Sequence, residues 1–116
     1  MKAKSTGCVV FREEKGERLY LLLEAKRIND KLGDHTFWDF PKGAPNKGEN
    51  ELQTALREAQ EESGLSDLEF IDSFRKSIRF FFRIKRKLID KTVVFYLAKA
   101  GSKKLKISHE HVDAKW

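Results

Sequence analysis

Apolar and polar positions divide the chain into short segments of period two around a single segment of period 3.6. Ser5–Phe11 and Arg18–Ala25 predict two strands joined by a charged turn containing Gly16. Lys26–Thr36 is polar, carries Gly33, and predicts a loop. Phe37–Phe40 predicts a short aromatic strand stopped by Pro41, and Asn46-Lys47-Gly48 a turn. Asn50 with Gln53 three residues on predicts an N-cap with a capping box. The helix that follows runs to about Ser63, where Gly64 supplies a left-handed stop. Leu68–Phe74, Ser77–Ile84 and Thr92–Ala98 predict further strands, with Lys85–Lys91 as a basic hairpin loop. Several strands around one strong helix predict a mixed α/β or α+β domain.

The 116 residues suit one domain, 1–116, and the 40% apolar content with nine Phe and two Trp supplies a core. No run is long enough to span a membrane, and no N-terminal signal pattern is present. One cysteine, Cys8, excludes an internal disulfide and fits a reducing, cytoplasmic setting. Its apolar strand context predicts a buried, inert thiol.

The net charge of +6 is segregated by sign. Arg75–Lys106 holds twelve Lys or Arg and one acid, Asp90. Glu49–Asp67 holds six acids and one base, Arg57. An acidic helix beside a basic sheet region suits a highly anionic ligand bound with metal, while a plain solvated basic face is the simpler alternative.

On the helix, Glu61 and Glu62 fall roughly 60° behind and 40° ahead of Glu58, with Glu51 on the same line two turns earlier. Leu52, Ala55, Leu56 and Ala59 form an adjoining apolar arc. Crowded carboxylates repel without a counter-charge. Arg57 at i, i+4 can hold Glu61, and hard oxygen donors of this kind suit Mg²⁺ or Mn²⁺. An ordinary acidic helix face gives the same cluster, so the wider spacing decides between them.

That spacing, Gly43-x5-Glu49-x7-Arg57-Glu58-Ala59-x-Glu61-Glu62-x-Gly64-Leu65, resembles the signature of the Nudix hydrolases at every fixed position. Seven fixed identities arise by chance roughly once in 10⁸ starting points when each letter has a frequency of several per cent. The resemblance implies an α/β/α sandwich with a mixed sheet. It implies a loop–helix–loop that binds divalent metal and cleaves a pyrophosphate linkage of nucleoside diphosphate derivatives. By resemblance Glu58 and Glu62 are metal ligands, Glu61 is shared between metal and water activation, and the Gly43 carbonyl is a further ligand. Glu49 and Arg57 pair as frame, and Gly64 ends the helix.

The flanks resemble one branch, the asymmetrical diadenosine tetraphosphate hydrolases. They are Trp38-Asp39-Phe40-Pro41-Lys42-Gly43, Lys91-Thr92-Val93-Val94-Phe95-Tyr96-Leu97-Ala98, and Ser108-His109-Glu110-His111 with Trp116. This likeness implies that Lys42 and Lys91 hold polyphosphate and that Glu110 is an added metal ligand or general base. Phe80 or Phe82 would stack a base. Phe95 would also line the substrate site, although it lacks the Tyr hydroxyl that contacts phosphate in that branch, and the sequence departs again at Ala44, where His is usual. It also ends at Trp116, where the branch continues into a helix over one sheet face. A fragment or a minimal version fits that ending, as a monomer or weak dimer. The leading expectation is Mg²⁺-dependent hydrolysis of diadenosine tetraphosphate to ATP and AMP. The alternatives are a hydrolase acting on an RNA 5′ end, and a non-catalytic nucleotide- or RNA-binding module on the same scaffold.

Overall fold

The computed structural model describes residues 1–27, 35–106 and 111–116. Gly33 and Glu110, with Ser108 and His109, lie outside the described residues. The elements are β1 (Lys2–Glu14), β2 (Glu17–Tyr20), β3 (Leu22–Arg27), β4 (His35–Asp39), β5 (Lys42–Gly43), α1 (Glu51–Ser63), β6 (Leu68–Ile84), β7 (Lys87–Ala100) and β8 (His111–Lys115). Among the described residues α1 is the only helix, so the domain is a mixed α+β fold made mostly of strands.

The larger sheet has the order β2-β1-β7-β6, with β5 also on the edge of β1, and the smaller has the order β4-β3-β8. β1 runs parallel to β7 from Lys2↔Asp90 to Phe11↔Lys99, whereas the β1–β2, β1–β5 and β6–β7 pairs are antiparallel. The sheet is therefore mixed. Gly16 sits in the β1–β2 turn with Lys15 at φ 50° and itself at φ 80°, the paired left-handed residues of a tight hairpin.

Three predicted boundaries shift. Arg18–Ala25 is two strands, because the fully buried Leu21 donates its N–H to the Val10 carbonyl at 2.8 Å and the chain then leaves for the second sheet. Leu68–Phe74 and Ser77–Ile84 are one 17-residue strand, β6, whose pairing with β7 changes register between Phe70 and Arg75. Ser73, at φ 69°, takes up the irregularity. The Lys85–Lys91 loop is only a two-residue turn, with Lys85 at φ 46° and Arg86 at φ 70°, and β7 begins at Lys87.

Helix α1 has the capping box read from sequence. Asn50 Oδ1 accepts the Gln53 N–H at 2.8 Å, and Gln53 Oε1 accepts the Asn50 N–H at 2.9 Å. Gly64, at φ 77°, closes the helix with its N–H on the Gln60 carbonyl. The buried residues of α1 are Thr54, Ala55, Ala59, Glu62 and Ser63. Leu52, placed on the apolar arc by the wheel, is exposed. Small side chains instead bring the helix close to the sheet, and Cys8 Sγ donates to the Ala55 carbonyl at 3.5 Å. Burial pushes the Cys8 thiol up to about 12, so it is the inert core thiol expected. Val10, Leu21, Leu23, Leu65 and Ala98 complete the core on this side.

Candidate active site

Two-residue strand β5 sets the geometry of the site. Its register places Lys42 beside Gly7 and Gly43 beside Thr6 on β1. Neighbouring strand residues face opposite sides. Gly43 faces the helix, and a Cβ there would overlap the Glu58 carboxylate, so only glycine fits at this approach. Gly7 is needed for a similar reason, because a Cβ would overlap the Pro41 carbonyl that receives the Cys8 N–H at 3.0 Å.

Glu62 is buried on the last turn of α1, and its Oε2 accepts the Lys42 N–H at 3.1 Å. Glu58 and Glu62 therefore reach adjacent residues of β5. Glu61 stands outward, its side chain 58% exposed. Arg57 ties the group together. It donates to both Glu49 oxygens (Nε 2.7 Å and Nη2 3.1 Å), to Glu58 Oε1 at 2.8 Å, to Glu61 Oε2 at 3.2 Å and to the Ala44 carbonyl at 2.9 Å. The Arg57 hydrogen bond, helped by the Asn46 N–H, holds the Glu49 carboxyl at about 2.

No three Asp, Glu, His or Cys side chains among the described residues converge at metal-binding positions. The donor chemistry nevertheless fits a hard divalent cation. Glu58, Glu62 and the Gly43 backbone meet at β5, while Glu61 is turned toward Arg57.

Lys42 sends its side chain to the sheet face away from α1. There a cleft of about 720 Å³ is lined by Phe37, Asp39, Lys42, Phe80, Phe82, Arg83, Ile84 and Lys91. Lys42 Nζ contacts Asp39 Oδ2 at 2.6 Å, and Lys91 Nζ donates to Ser5 Oγ at 2.6 Å. Burial first, and the nearby Lys42 charge second, lower the Lys91 pKa below the usual lysine value. The Phe80 and Phe82 rings lie 5.9 Å apart and tilted by 31°, both substantially exposed. Phe95 stands elsewhere. It packs edge-on against Phe40 at 5.7 Å and is not among the side chains lining the cleft.

Asp39, Phe37 and Arg83 are cleft residues that the sequence reading passed over. Only Asp39 carried a signal, its i, i+3 spacing to Lys42. Glu51 was also passed over as an anchor. It accepts from Lys4 at 2.6 Å, from Tyr96 at 2.7 Å and from Arg75 at 2.9 and 3.0 Å, which fixes the start of α1 to three strands. Its partners lie 24 to 47 residues away, beyond any local pattern.

The carboxylate helix is thus fixed to a glycine strand, with Lys42, Lys91 and two exposed rings on that strand's far side. The NUDIX domain family matches residues 1–116, and the chain belongs to that family of hydrolases. It is 34% identical over 126 residues to the asymmetrical bis(5′-nucleosyl)-tetraphosphatase of Mus musculus, covering 100% of this chain and 79% of the relative. The Caenorhabditis elegans enzyme of the same description is 32% identical over 117 residues with the same coverages. Among solved structures, a C. elegans Ap4A hydrolase binary complex superposes with a TM-score of 0.78 at 32% identity, over 98% of this chain and 78% of that one. No helix among the described residues is long and apolar enough to cross a membrane.

Proposed function

We propose that this Nudix hydrolase cleaves dinucleoside polyphosphates, with diadenosine tetraphosphate giving ATP and AMP, and that it uses Mg²⁺ or Mn²⁺. The observation that carries this reading is the Lys42–Lys91 pair in a cleft walled by Phe80 and Phe82. Lys91 is held below the usual lysine value by burial and then by the Lys42 charge, an arrangement that an anion between the two ammonium groups relieves. The tetraphosphate chain supplies that anion, and the exposed rings supply a platform for a base. The names of the full-length relatives point to the same substrate.

Glu58, Glu62 and the Gly43 carbonyl hold the metal in this reading. The metal, when bound, neutralises phosphate charge and lowers the pKa of water. Lys42 and Lys91 fix the polyphosphate, Asp39 orients Lys42, and Glu61, released from Arg57, accepts the proton of the attacking water. Glu110, proposed as a further ligand or base, lies outside the described residues. Arg57, Glu49 and Gly64 hold the loop and helix in register.

Product analysis tests the proposal. The protein is incubated with Mg²⁺ and a panel of diadenosine polyphosphates, nucleoside diphosphate sugars and triphosphorylated RNA. ATP and AMP from diadenosine tetraphosphate, lost on chelation and in Glu61→Gln, support it. Faster turnover of the RNA 5′ end would assign the site to RNA. Undiminished turnover in Glu61→Gln would remove Glu61 from the chemistry.

A further inference from the structure

The β6–β7 hairpin has a second surface that the hydrolytic site does not use. On the face toward α1, Lys2, Lys4, Arg75 and Arg79 line a groove of about 490 Å³ with Asp90, above Ser77 and Thr92. Four cations face two carboxylates, Asp90 in the groove and Glu51 beside it, leaving an excess of two positive charges. Arg79 engages Asp90 through Nε at 2.9 Å and Nη2 at 2.7 Å. Its Nη1 donors are left for another acceptor.

At the outer end stands Phe81, 56% exposed, with the Arg79 guanidinium 5.2 Å from its ring centre. Strand alternation turns Phe81 away from Phe80 and Phe82, so it belongs neither to the cleft nor to the core. From Arg75 to Phe81 the row runs for roughly 20 Å.

We propose that this face of the hairpin is a docking track for single-stranded RNA. The lysine and arginine row follows phosphates, and Phe81 stacks an unpaired base. Charge complementarity and the pairing of an exposed ring with cations are the two requirements of sequence-tolerant single-strand binding. A membrane surface fits less well. The turn that would enter it is Lys85-Arg86-Lys87, with both turn residues at positive φ, and the apolar side chains lie along the strands behind it. The track is on the opposite sheet face from the Lys42–Lys91 cleft and meets α1 at Glu51 in its first turn, whereas Glu62 lies on its last turn.

Fluorescence anisotropy with a 5′-hydroxyl, 12-nucleotide oligouridine tests this on the whole chain in a chelator. Binding is expected to weaken linearly in log affinity against log salt. Arg79→Gln should reduce that slope by about 0.7, one phosphate contact. Phe81→Ala should weaken binding roughly 5- to 100-fold, with diadenosine tetraphosphate turnover in Mg²⁺ unchanged. Saturating diadenosine tetraphosphate should leave the RNA bound. If Phe81→Ala loses its thermal unfolding transition, Phe81→Leu, which keeps the bulk without the ring face, replaces it. The proposal is overturned by absent or salt-independent binding, by variants that bind as the parent does, or by displacement with the dinucleotide. Flotation with phosphatidylserine vesicles in preference to RNA would also overturn it, in favour of a membrane surface.

Discussion

Glu62 Oε2 accepts the backbone N–H of Lys42 at 3.1 Å, which joins the last turn of the carboxylate helix to the strand that aims Lys42 into the cleft. One hydrogen bond thus links the two sides of the proposed site. Glu62→Gln keeps an oxygen for that N–H and removes only the charge. The expected result is a thermal midpoint close to the parent's with kcat lowered roughly 10²-fold or more. Circular dichroism melting beside steady-state turnover separates the two effects. A variant that melts early and keeps its kcat would show that Glu62 is only a frame residue.

Gly43 gives the complementary case, since the space its missing Cβ leaves is taken by the Glu58 carboxylate. Gly43→Ala must push Glu58 or β5 aside. A displacement of about 1 Å at a reacting centre costs on the order of 10²-fold in rate. The loss should fall on kcat more than on KM, because the lysines of the cleft face the other way. Titration with Mn²⁺ should show weaker metal binding in the same variant. Parent-like kinetics would mean that β5 relaxes freely.

The helix and its caps were legible because Asn50, Gln53 and Gly64 act over one or two turns, and the glutamate spacing is equally local. What the spacing could not show is how the carboxylates are held. Arg57 was read as a partner for Glu61 and Glu49, yet it also binds Glu58 and the Ala44 carbonyl. The wheel placed Leu52 on the buried arc, whereas Ala55, Ala59 and Glu62 are buried. Packing against Cys8 favoured small residues and rotated the buried face. β6 looked like two strands because Arg75-Lys76 interrupts the apolar pattern, but a left-handed Ser73 makes a bulge after which pairing with β7 resumes at Arg75. The Lys85-Arg86 turn lacked the Asn-Gly signal of a tight hairpin. Of the cleft residues, Lys42 and Lys91 stand in the flanking motifs and Phe80 and Phe82 in the aromatic run expected to stack a base; all four converge in space, while Phe95 does not join them.

Acid sensitivity should trace to Glu49. Its folded-state pKa is held near 2, below the ordinary 4.5, chiefly by Arg57. A depressed carboxylate contributes stability that is complete above the unfolded value and lost as pH falls through the folded one. The Glu49 contribution therefore fades between about 4.5 and 2. Glu49→Gln should melt lower than the parent at pH 6, with the gap closing as pH falls through that window. Groups common to both proteins, Glu51 included, cancel in the difference. A gap that stays constant with pH would show that the loss comes from packing and not from the charge.

Lys91 should set an alkaline limit on substrate capture. Its pKa is lowered first by burial and then by Lys42, so it loses its charge at a lower pH than a solvated lysine does. In the proposed role, the neutral amine no longer attracts polyphosphate, and kcat/KM falls on the alkaline side. The free enzyme governs kcat/KM, so the midpoint of that limb reports the unliganded cleft. Lys42→Met removes the like charge and leaves the burial. The expected result is a lower plateau, from the lost phosphate contact, with the alkaline midpoint moved to higher pH. Lys91→Met should lower the plateau and abolish that limb. An alkaline midpoint identical in the parent and in Lys91→Met would show that Lys91 does not bind the substrate as the charged form.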